Sequence, residues 1–213
     1  MKLEEAIEKA KTDSKKRNFV QSLDLFVNFK NLDFNKQDNK ISAEVLLPKG
    51  RGKDQKVCVI CEDEMATAAK TVADKVILST ELEVMGKDPK KIKALANDYD
   101  AFIAQVSLMP LVGRFLGQAL GPRGKMPKPV PPNADLKPLI ARLKNTLIIK
   151  TKGKNLPVLH VPIGTEAMTT EDLAANATAV LSAIKAQIPD IQNIGSVKVK
   201  TTMGPTVDIT EGF

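Results

Sequence analysis

Apolar and polar residues alternate in several segments that lie towards both ends of the chain. These segments are 21–30, 41–47, 156–161, 196–202 and, more briefly, 206–209. A period of two is typical of a β-strand with one buried face. We therefore predict a half-buried strand in each segment. We expect the first two, which follow one another with a polar loop at 31–39 between them, to pair as an antiparallel hairpin.

The middle of the chain has a different pattern. Short, continuously apolar segments at 56–61, 75–78 and 101–104 are separated by amphipathic segments at 64–72 and 88–97. Buried strands that alternate with helices predict parallel β-α-β units. Further helices are predicted at 3–16, 110–120, 135–143 and 170–187, and a further strand at 146–150.

The change of pattern predicts an α/β fold with two domains. Residues 1–61 and 155–213 are expected to form a discontinuous α+β domain from both chain ends. Residues 62–154 are expected to form an inserted, Rossmann-like three-layer α/β domain. Two connecting strands that lie side by side would then be a natural hinge between the domains.

A helix followed by a proline-rich basic loop stands out between residues 109 and 132. Pro110 suits the first turn of the helix, and Gly121, as a left-handed cap, and Pro122 are expected to end it. Prolines at 127, 129, 131 and 132 predict an irregular loop. Its cations, Arg123 and Lys125 among them, indicate either a polyanion site or a solvated connector, and composition alone does not separate these readings.

The charge of the chain favours a polyanionic partner. The 213 residues carry a net charge of +7 with a pI near 9.3, and residues 110–154 hold ten Lys or Arg against one acid, Asp135. Such focused charge is typical of nucleic-acid or anionic membrane binding. There is no apolar run long enough to cross a membrane and no signal peptide, so we expect a cytoplasmic protein without a membrane partner.

Enzymatic and metal-binding motifs are weak. Cys58 and Cys61 have CxxC spacing, but they fall in a predicted buried strand rather than at a strand-to-helix turn, and no second pair is available for zinc. No GxGxxG follows this strand, and Lys125 is followed by Met126 rather than by Ser or Thr, which excludes a P-loop. We expect no catalytic residue, no cofactor and no metal.

The segment 196–205 is the strongest candidate surface near the chain ends. Ser196, Lys198, Lys200 and Thr202 are expected on one face of a strand, where hydroxyl and ammonium groups can bond phosphates and ribose 2′-hydroxyls. Gly204 permits close backbone approach, and Met203 offers a soft apolar contact. A simple Thr-rich edge strand remains the alternative reading of this pattern.

Residues 120–127, Leu-Gly-Pro-Arg-Gly-Lys-Met-Pro, preceded by Gly113 and Gly117, resemble the signature of a known family. This is the family of the universal first protein of the large ribosomal subunit, here in an archaeal-type form. The resemblance implies a main RNA site where the two chain ends meet. Thr202-Met-Gly-Pro205 matches the RNA-contacting segment of that family residue for residue.

The resemblance also interprets two residues that the pattern leaves open. Alone, Phe19 suits a core position better than a stacking position; by resemblance it matches the aromatic of the RNA surface, with Ser22 at the neighbouring hydroxyl position. Asn18 departs from the family, which often has Lys there, so Arg17 or Lys16 is left to supply the charge. His160, the only histidine, has no companion metal ligands and resembles the histidine of the RNA face.

The candidate RNA-binding residues are therefore spread over both chain ends, with Lys30 added as a phosphate contact. They are Phe19, Ser22, Lys30, His160, Ser196, Lys200, Thr201, Thr202, Met203, Gly204 and Pro205. A possible second RNA contact on the insert comprises Arg114, Arg123, Lys125 and Lys128.

The function implied by the resemblance is structural. A ribosomal protein of this family binds large-subunit rRNA to form the mobile lateral stalk and helps deacylated tRNA leave the exit site. It also represses its own operon mRNA, and it is expected to be a monomer off the ribosome. The alternatives are a basic nucleotide-binding Rossmann-like enzyme and an RNA chaperone without a defined target.

Overall fold

The computed structural model describes residues 1–30, 41–86, 88–132, 134–151, 156–188 and 191–210. Its α-helices are α1 (Leu3–Thr12), α2 (Asp63–Lys70), α3 (Ser79–Gly86), α4 (Pro89–Asp98), α5 (Met109–Leu120), α6 (Leu136–Asn145) and α7 (Thr170–Gln187). Its strands are β1 (Ser22–Phe29), β2 (Ser42–Leu46), β3 (Val57–Ile60), β4 (Lys75–Ile77), β5 (Ala101–Gln105), β6 (Lys128–Val130), β7 (Thr146–Lys150), β8 (Val158–Thr165), β9 (Ile194–Thr201) and β10 (Val207–Ile209). Short 3-10 helices span Val106–Leu108 and Ile191–Asn193.

The chain divides into two compact units. The terminal unit contains Met1–Lys53 and Asn145–Phe213, and the inserted unit contains Asp54–Lys144. Antiparallel sheets occur in the first and a parallel sheet in the second. The mixed α/β class predicted from the sequence is therefore confirmed. The unit boundaries differ from the expected 61/62 and 154/155, because β3 belongs to the parallel sheet and β7 pairs with β2.

The main sheet of the terminal unit has the strand order β10-β9-β1-β8, and all its pairings are antiparallel. Residues alternate along β1 between full and partial burial, as the sequence pattern predicted. The buried side chains, such as Leu25 and Val27, pack into one core with α1 and α7. Helix α7 begins as expected at its N-cap Thr169, whose side chain accepts a hydrogen bond from the backbone N–H of Asp172 at 3.2 Å.

The predicted hairpin between the first two strands is wrong. Strand β2 pairs instead with β7, in the register Glu44 to Ile148. The physical reason is that β1 already has a partner on each side, β8 and β9, and has no free edge for β2. The polar loop expected at 31–39 lies outside the described residues.

The inserted unit is built around a parallel sheet of order β4-β3-β5-β6. Helices α3, α4 and α5 share a core with one face of the sheet, through residues such as Ile92 and Leu116. Helices α2 and α6 share a core with the other face, through residues such as Met65 and Ile140. Cys58 belongs to the first core and Cys61 to the second, so the two thiols point to opposite faces as predicted.

Three local predictions in this region and at the chain start need correction. The segment after α5 is not wholly irregular, because Lys128–Val130 forms β6 at the sheet edge, where Pro129 is tolerated. Gly121 has φ −55°, so it is right-handed, and Gly124, with φ 68°, is the left-handed residue instead. Helix α1 ends at Thr12 rather than at residue 16, and α3 was not predicted, because its amphipathic pattern is weak.

Candidate RNA-binding surface

A turn at residues 202–205 follows β9 and leads to β10 at one end of the sheet. Its backbone is bonded to the start of β1: the N–H of Thr202 donates to the carbonyl of Ser22 at 3.0 Å. The hydroxyl of Thr202 accepts from the N–H of Ser22 at 3.1 Å and lies 3.2 Å from the Ser22 carbonyl. The Met203 side chain is 58% exposed. A large apolar side chain is thus presented to solvent on an anchored turn.

Gly204 and Thr201 explain why this turn needs its particular sequence. A Cβ at Gly204 would collide with Oγ1 of Thr201, so a side chain cannot be added there without moving the turn. The Thr201 side chain is fully buried and donates to Oγ of Ser14 at 3.0 Å. Thr201 was predicted to contact RNA. Its hydroxyl faces the interior instead, where the bond to Ser14 supports the turn.

Phe19 lies just before β1, and Ser22 is the first residue of that strand. Phe19 is 52% exposed and the adjoining Val20 is 53% exposed, which removes the reading of Phe19 as a core residue. The hydroxyl of Ser22 accepts a hydrogen bond from Nζ of Lys53 at 3.0 Å. The aromatic, the hydroxyl and the turn at 202–205 therefore lie at one end of β1, with an ammonium group beside them.

The partly exposed side of the main sheet forms what we term the polar face. It consists of Ser22, Asp24, Phe26 and Asn28 on β1, His160 on β8, and Ser196, Lys198 and Lys200 on β9. These residues are brought together by register, since Phe26 lies opposite both His160 and Lys198.

Side chains on the polar face contact one another in pairs. The rings of Phe26 and His160 have centroids 4.4 Å apart in an edge-to-face arrangement. Nδ2 of Asn28 donates to Oγ of Ser196 at 2.8 Å. Nζ of Lys198 lies 2.9 Å from Oδ1 of Asp208 on β10, so its charge is partly neutralised. A groove of about 310 Å³, lined in part by Lys150 and His160, adjoins this face.

Asp24 is the acidic group on the polar face. Burial raises the pKa of the Asp24 carboxyl above its ordinary value of 3.8, and attraction to His160, Lys200 and Lys53 lowers it by less. A carboxylate repels a phosphate group, so Asp24 itself is unsuited to phosphate binding although cations surround it. It restricts phosphate contacts to the side chains around it.

Lys30 and Ser196 lie at the far end of β1 from the turn. Lys30 is exposed, and its backbone N–H donates to the carbonyl of Asn193 at 2.7 Å. Its stem crosses Gly195, where an added Cβ would lie 2.8 Å from Cγ of Lys30. From Ser22 to Asn28 the strand rises about 20 Å, at about 3.3 Å per residue. The predicted residues therefore follow the length of the sheet rather than forming one pocket.

The four predicted cations of the insert have different environments. Arg114 and Arg123 are exposed; the guanidinium of Arg114 lies 5.7 Å from the Phe115 ring centroid. Lys125 is instead engaged at the end of α4, where Nζ donates to the carbonyls of Ala96 at 3.0 Å and Tyr99 at 2.7 Å. Lys128 is part of β6 and half-buried. Lys125 thus supports the loop, whereas Arg114 and Arg123 remain exposed. Arg123 also donates to the carbonyl of Lys93 at 3.4 Å.

Sequence reasoning did not name Phe26, Asp24 or Asn28 as candidate RNA contacts. The signal was present, because the period of two in β1 put these residues on the side opposite Leu25 and Val27. The sequence did not indicate which strands would flank β1. Only the observed register places His160 against Phe26.

Two further observations concern only the described part of the chain. No group of three or more His, Cys, Asp or Glu side chains there is arranged to hold a metal ion. Among the same residues, no helix is long and apolar enough to span a membrane.

The fold and this surface define a basic, mixed α/β protein whose terminal sheet presents polar, cationic and aromatic side chains. The chain belongs to the ribosomal protein L1p/L10e family, whose sequence profile matches residues 8–205. This confirms the resemblance inferred from residues 120–127.

Individual relatives match over almost the whole chain. Large ribosomal subunit protein uL1 of Methanothermobacter thermautotrophicus is 49% identical over 207 residues, which is 96% of this chain and 97% of that protein. The uL1 proteins of Thermococcus kodakarensis and Pyrococcus horikoshii are 48% and 47% identical over 210 residues, covering 98% of this chain and 96% and 95% of theirs. These relatives are archaeal, as the resemblance implied, and both family and names are those of a structural ribosomal protein, which excludes the enzyme alternative.

Proposed function

We propose that this chain is a structural protein of the large ribosomal subunit and that its terminal unit binds large-subunit rRNA. The observation that carries the proposal is the anchored turn at 202–205, which presents Met203 beside Ser22 and Phe19. A preformed turn is a suitable RNA contact, because little conformational freedom remains to be lost on binding.

The polar face extends the same contact surface. Hydroxyl, amide and ammonium groups on β1 and β9 can bond ribose 2′-hydroxyls and phosphates, and the imidazole of His160 offers a ring for stacking. Lys53 at one end and Lys30 at the other supply phosphate contacts, so the proposed footprint follows the strand direction. Such a footprint suits a folded RNA segment, recognised through its shape, better than a single extruded base.

The two units are proposed to be separate domains, the inserted one Rossmann-like. The chain passes between them twice, at 53/54 and at 144/145. Within the terminal unit, the strands nearest these two crossings are β2 and β7, and they pair with each other. We propose that this two-stranded ribbon is the hinge that lets the protein and its RNA act as a mobile lateral stalk in the cytoplasmic ribosome.

The family resemblance implies further roles, which we include in the proposal. With Arg114 and Arg123, the inserted unit contacts deacylated tRNA and assists its release from the exit site. The terminal unit represses translation of its own operon by binding an mRNA segment that imitates the rRNA site. Off the ribosome the protein is a monomer.

Binding of the stalk rRNA fragment tests the main proposal. The wild-type protein, Thr202→Ala and Met203→Ala are compared on this fragment and on an unrelated stem-loop at matched salt. We expect a preference of several hundredfold for the rRNA, about 3–4 kcal/mol, that largely disappears in both variants. Met126→Ala is the matched control, because Met126 is also exposed, at 48%, but lies in the inserted unit.

A different result would contradict the proposal of specific rRNA binding. Equal affinity for both RNAs, set by salt alone and unchanged by Thr202→Ala and Met203→Ala, would indicate general attraction of a basic protein to phosphates. That result would favour the chaperone alternative.

The tRNA contact has its own test. Arg114→Gln combined with Arg123→Gln is expected to weaken tRNA binding and leave rRNA affinity unchanged. Unchanged tRNA affinity in this double variant would remove the second RNA contact from the proposal.

A further inference from the structure

We infer that the buried side chain of Gln21 is the positioning residue that holds the 202–205 turn in its RNA-binding arrangement. The inference rests on the proposed rRNA-binding function and adds a residue that does not itself touch RNA. Gln21 lies immediately before β1 and has 0% exposure. A buried amide must satisfy both its oxygen and its nitrogen, and the partners of Gln21 indicate what it does.

The amide of Gln21 connects the turn to two other segments. Its Oε1 accepts the backbone N–H of Met203 at 3.1 Å. Its Nε2 lies 2.9 Å from Oγ of Ser14, 3.2 Å from the carbonyl of Lys15 and 3.2 Å from Oε2 of Glu166. Because a backbone N–H can only donate, the amide oxygen must face Met203 and the nitrogen must face the three acceptors.

The backbone of Gln21 is fixed as well. Its N–H donates to Oε1 of Glu166 at 3.1 Å, and its carbonyl accepts from the N–H of Glu166 at 2.9 Å. Gln21 therefore cannot shift without breaking a reciprocal pair of hydrogen bonds. The segment after α1, the start of β1, the turn after β8 and the turn after β9 all meet at this one side chain.

Ser14 connects the same network to Thr201, the last residue of β9 before the turn. Its Oγ lies within hydrogen-bond distance of both Nε2 of Gln21 and Oγ1 of Thr201. The turn is thus held at Thr201 by Ser14, at Thr202 by Ser22 and at Met203 by Gln21. The Met203 backbone is bonded inward, which directs its exposed side chain outward.

Gln21→Leu removes this support while keeping a side chain of similar size. It leaves the N–H of Met203 without its acceptor and removes the amide donor to Ser14, Lys15 and Glu166, while the two backbone hydrogen bonds to Glu166 can remain. We expect affinity for the stalk rRNA fragment to fall about tenfold, equivalent to about 1.4 kcal/mol, with little change for an unrelated stem-loop. Hydrogen exchange at the Met203 amide should accelerate in the free variant.

Asn176→Leu is the matched control for simple loss of stability. Asn176 is equally buried, and its amide bonds the carbonyls of Gly50 at 2.8 Å and Ile163 at 2.9 Å and the N–H of Lys49 at 3.1 Å, away from the turn. Both variants are measured at a temperature where thermal unfolding shows them to be folded. The positioning role predicts that only Gln21→Leu loses rRNA preference.

A double-mutant cycle separates this inference from the proposed function. In the Gln21→Leu background, Met203→Ala should cost much less affinity than it costs in the wild-type chain. If Met203→Ala weakens binding while Gln21→Leu does not, or if Asn176→Leu weakens it equally, the positioning role is overturned and the RNA site stands. If Met203→Ala has no effect in the wild-type chain, the RNA site itself is overturned.

Discussion

We expect the two cysteine thiols to be unreactive, because both are buried in the inserted unit. Burial raises the pKa of Cys58 to about 12, and it also raises the pKa of Cys61. The thiolate is the reactive form, and almost none is present at neutral pH when the pKa is so high. Their CxxC spacing therefore has no redox consequence in the folded chain.

This environment predicts that neither thiol reacts with a disulfide reagent until the inserted unit unfolds. The test follows the thiolate that the reagent releases when it reacts with a protein thiol, and compares the rate of release in buffer and in urea. Rapid labelling of the native protein at either position would contradict the buried assignment.

Asp24 predicts a pH dependence with a definite sign. Its folded-state pKa is raised, so its contribution to stability is fully present below the unfolded value near 3.8. That contribution is lost as the pH rises through the higher folded value. Asp24→Asn does not ionise, so we expect it to be more stable than the wild type at about pH 7, with the difference closing at about pH 3. Urea unfolding of both proteins at the two pH values measures this, and a variant less stable at neutral pH would contradict it.

Lys125 illustrates a residue whose role cannot be read from its neighbours in sequence. Beside Arg123 and Lys128 it reads as part of a basic loop, and only tertiary structure brings its ammonium to the carbonyl end of α4. We expect Lys125→Met to destabilise the inserted unit by about 1 kcal/mol, since two carbonyls lose a donor. Thermal unfolding checks this value. Lys137→Met, an exposed lysine of the same unit, is the control and should be close to neutral.

At the scale of elements, α5 contains two glycines that its own packing does not require. A Cβ at Gly113 or at Gly117 would have nothing within 4 Å. Since glycine inside a helix costs about 0.5–1 kcal/mol relative to alanine, Gly113→Ala and Gly117→Ala should each stabilise the inserted unit by about that amount. Gly124→Ala is the contrasting variant and should destabilise, because Gly124 has φ 68°. The denaturant midpoints of the three variants, compared with that of the wild type, test these predicted changes in stability.

The elements themselves were largely predictable, because hydrophobic periodicity is a local property. The period of two in β1 and the 3.6-residue period in α5 and α7 gave the buried faces correctly. Strand partners were not predictable in the same way. The pairing of β2 with β7 joins residues about a hundred positions apart, and nothing in either strand's sequence specifies the other.

The candidate site shows the same limit. Its exposed side chains came from the resemblance and from alternation, whereas the support beneath them did not. Gln21 reads as an ordinary polar residue before a strand, and Thr201 reads as one more hydroxyl of a Thr-rich segment. Both are interior residues, because the chain ends fold against each other at that point.

For the whole molecule, the order of strands in sequence differs from their order in space. The strands of the inserted sheet all lie between Val57 and Val130. The terminal sheet instead requires β9, which pairs with β1 across most of the chain length. The inserted sheet can therefore be completed by a much shorter chain than the terminal sheet.

A chain stopped after residue 188 should reveal this difference. It keeps every strand of the inserted sheet but lacks β9 and β10. We expect Cys58 to stay protected from thiol reagents in this chain, while binding of the stalk rRNA fragment is lost. Retained rRNA binding would show that the 202–205 turn is dispensable, and rapid labelling of Cys58 would show that the inserted unit needs the terminal sheet.

The pairing of β9 with β1 has a consequence for synthesis. A protein emerges from the ribosome from its N-terminus, so β1 is made well before β9 and must wait for this partner. During that interval the turn and its Gln21 anchor do not exist together. A chain released early thus never acquires the turn that we propose reads the rRNA, and unfinished copies are kept from competing with finished ones for a place in the particle.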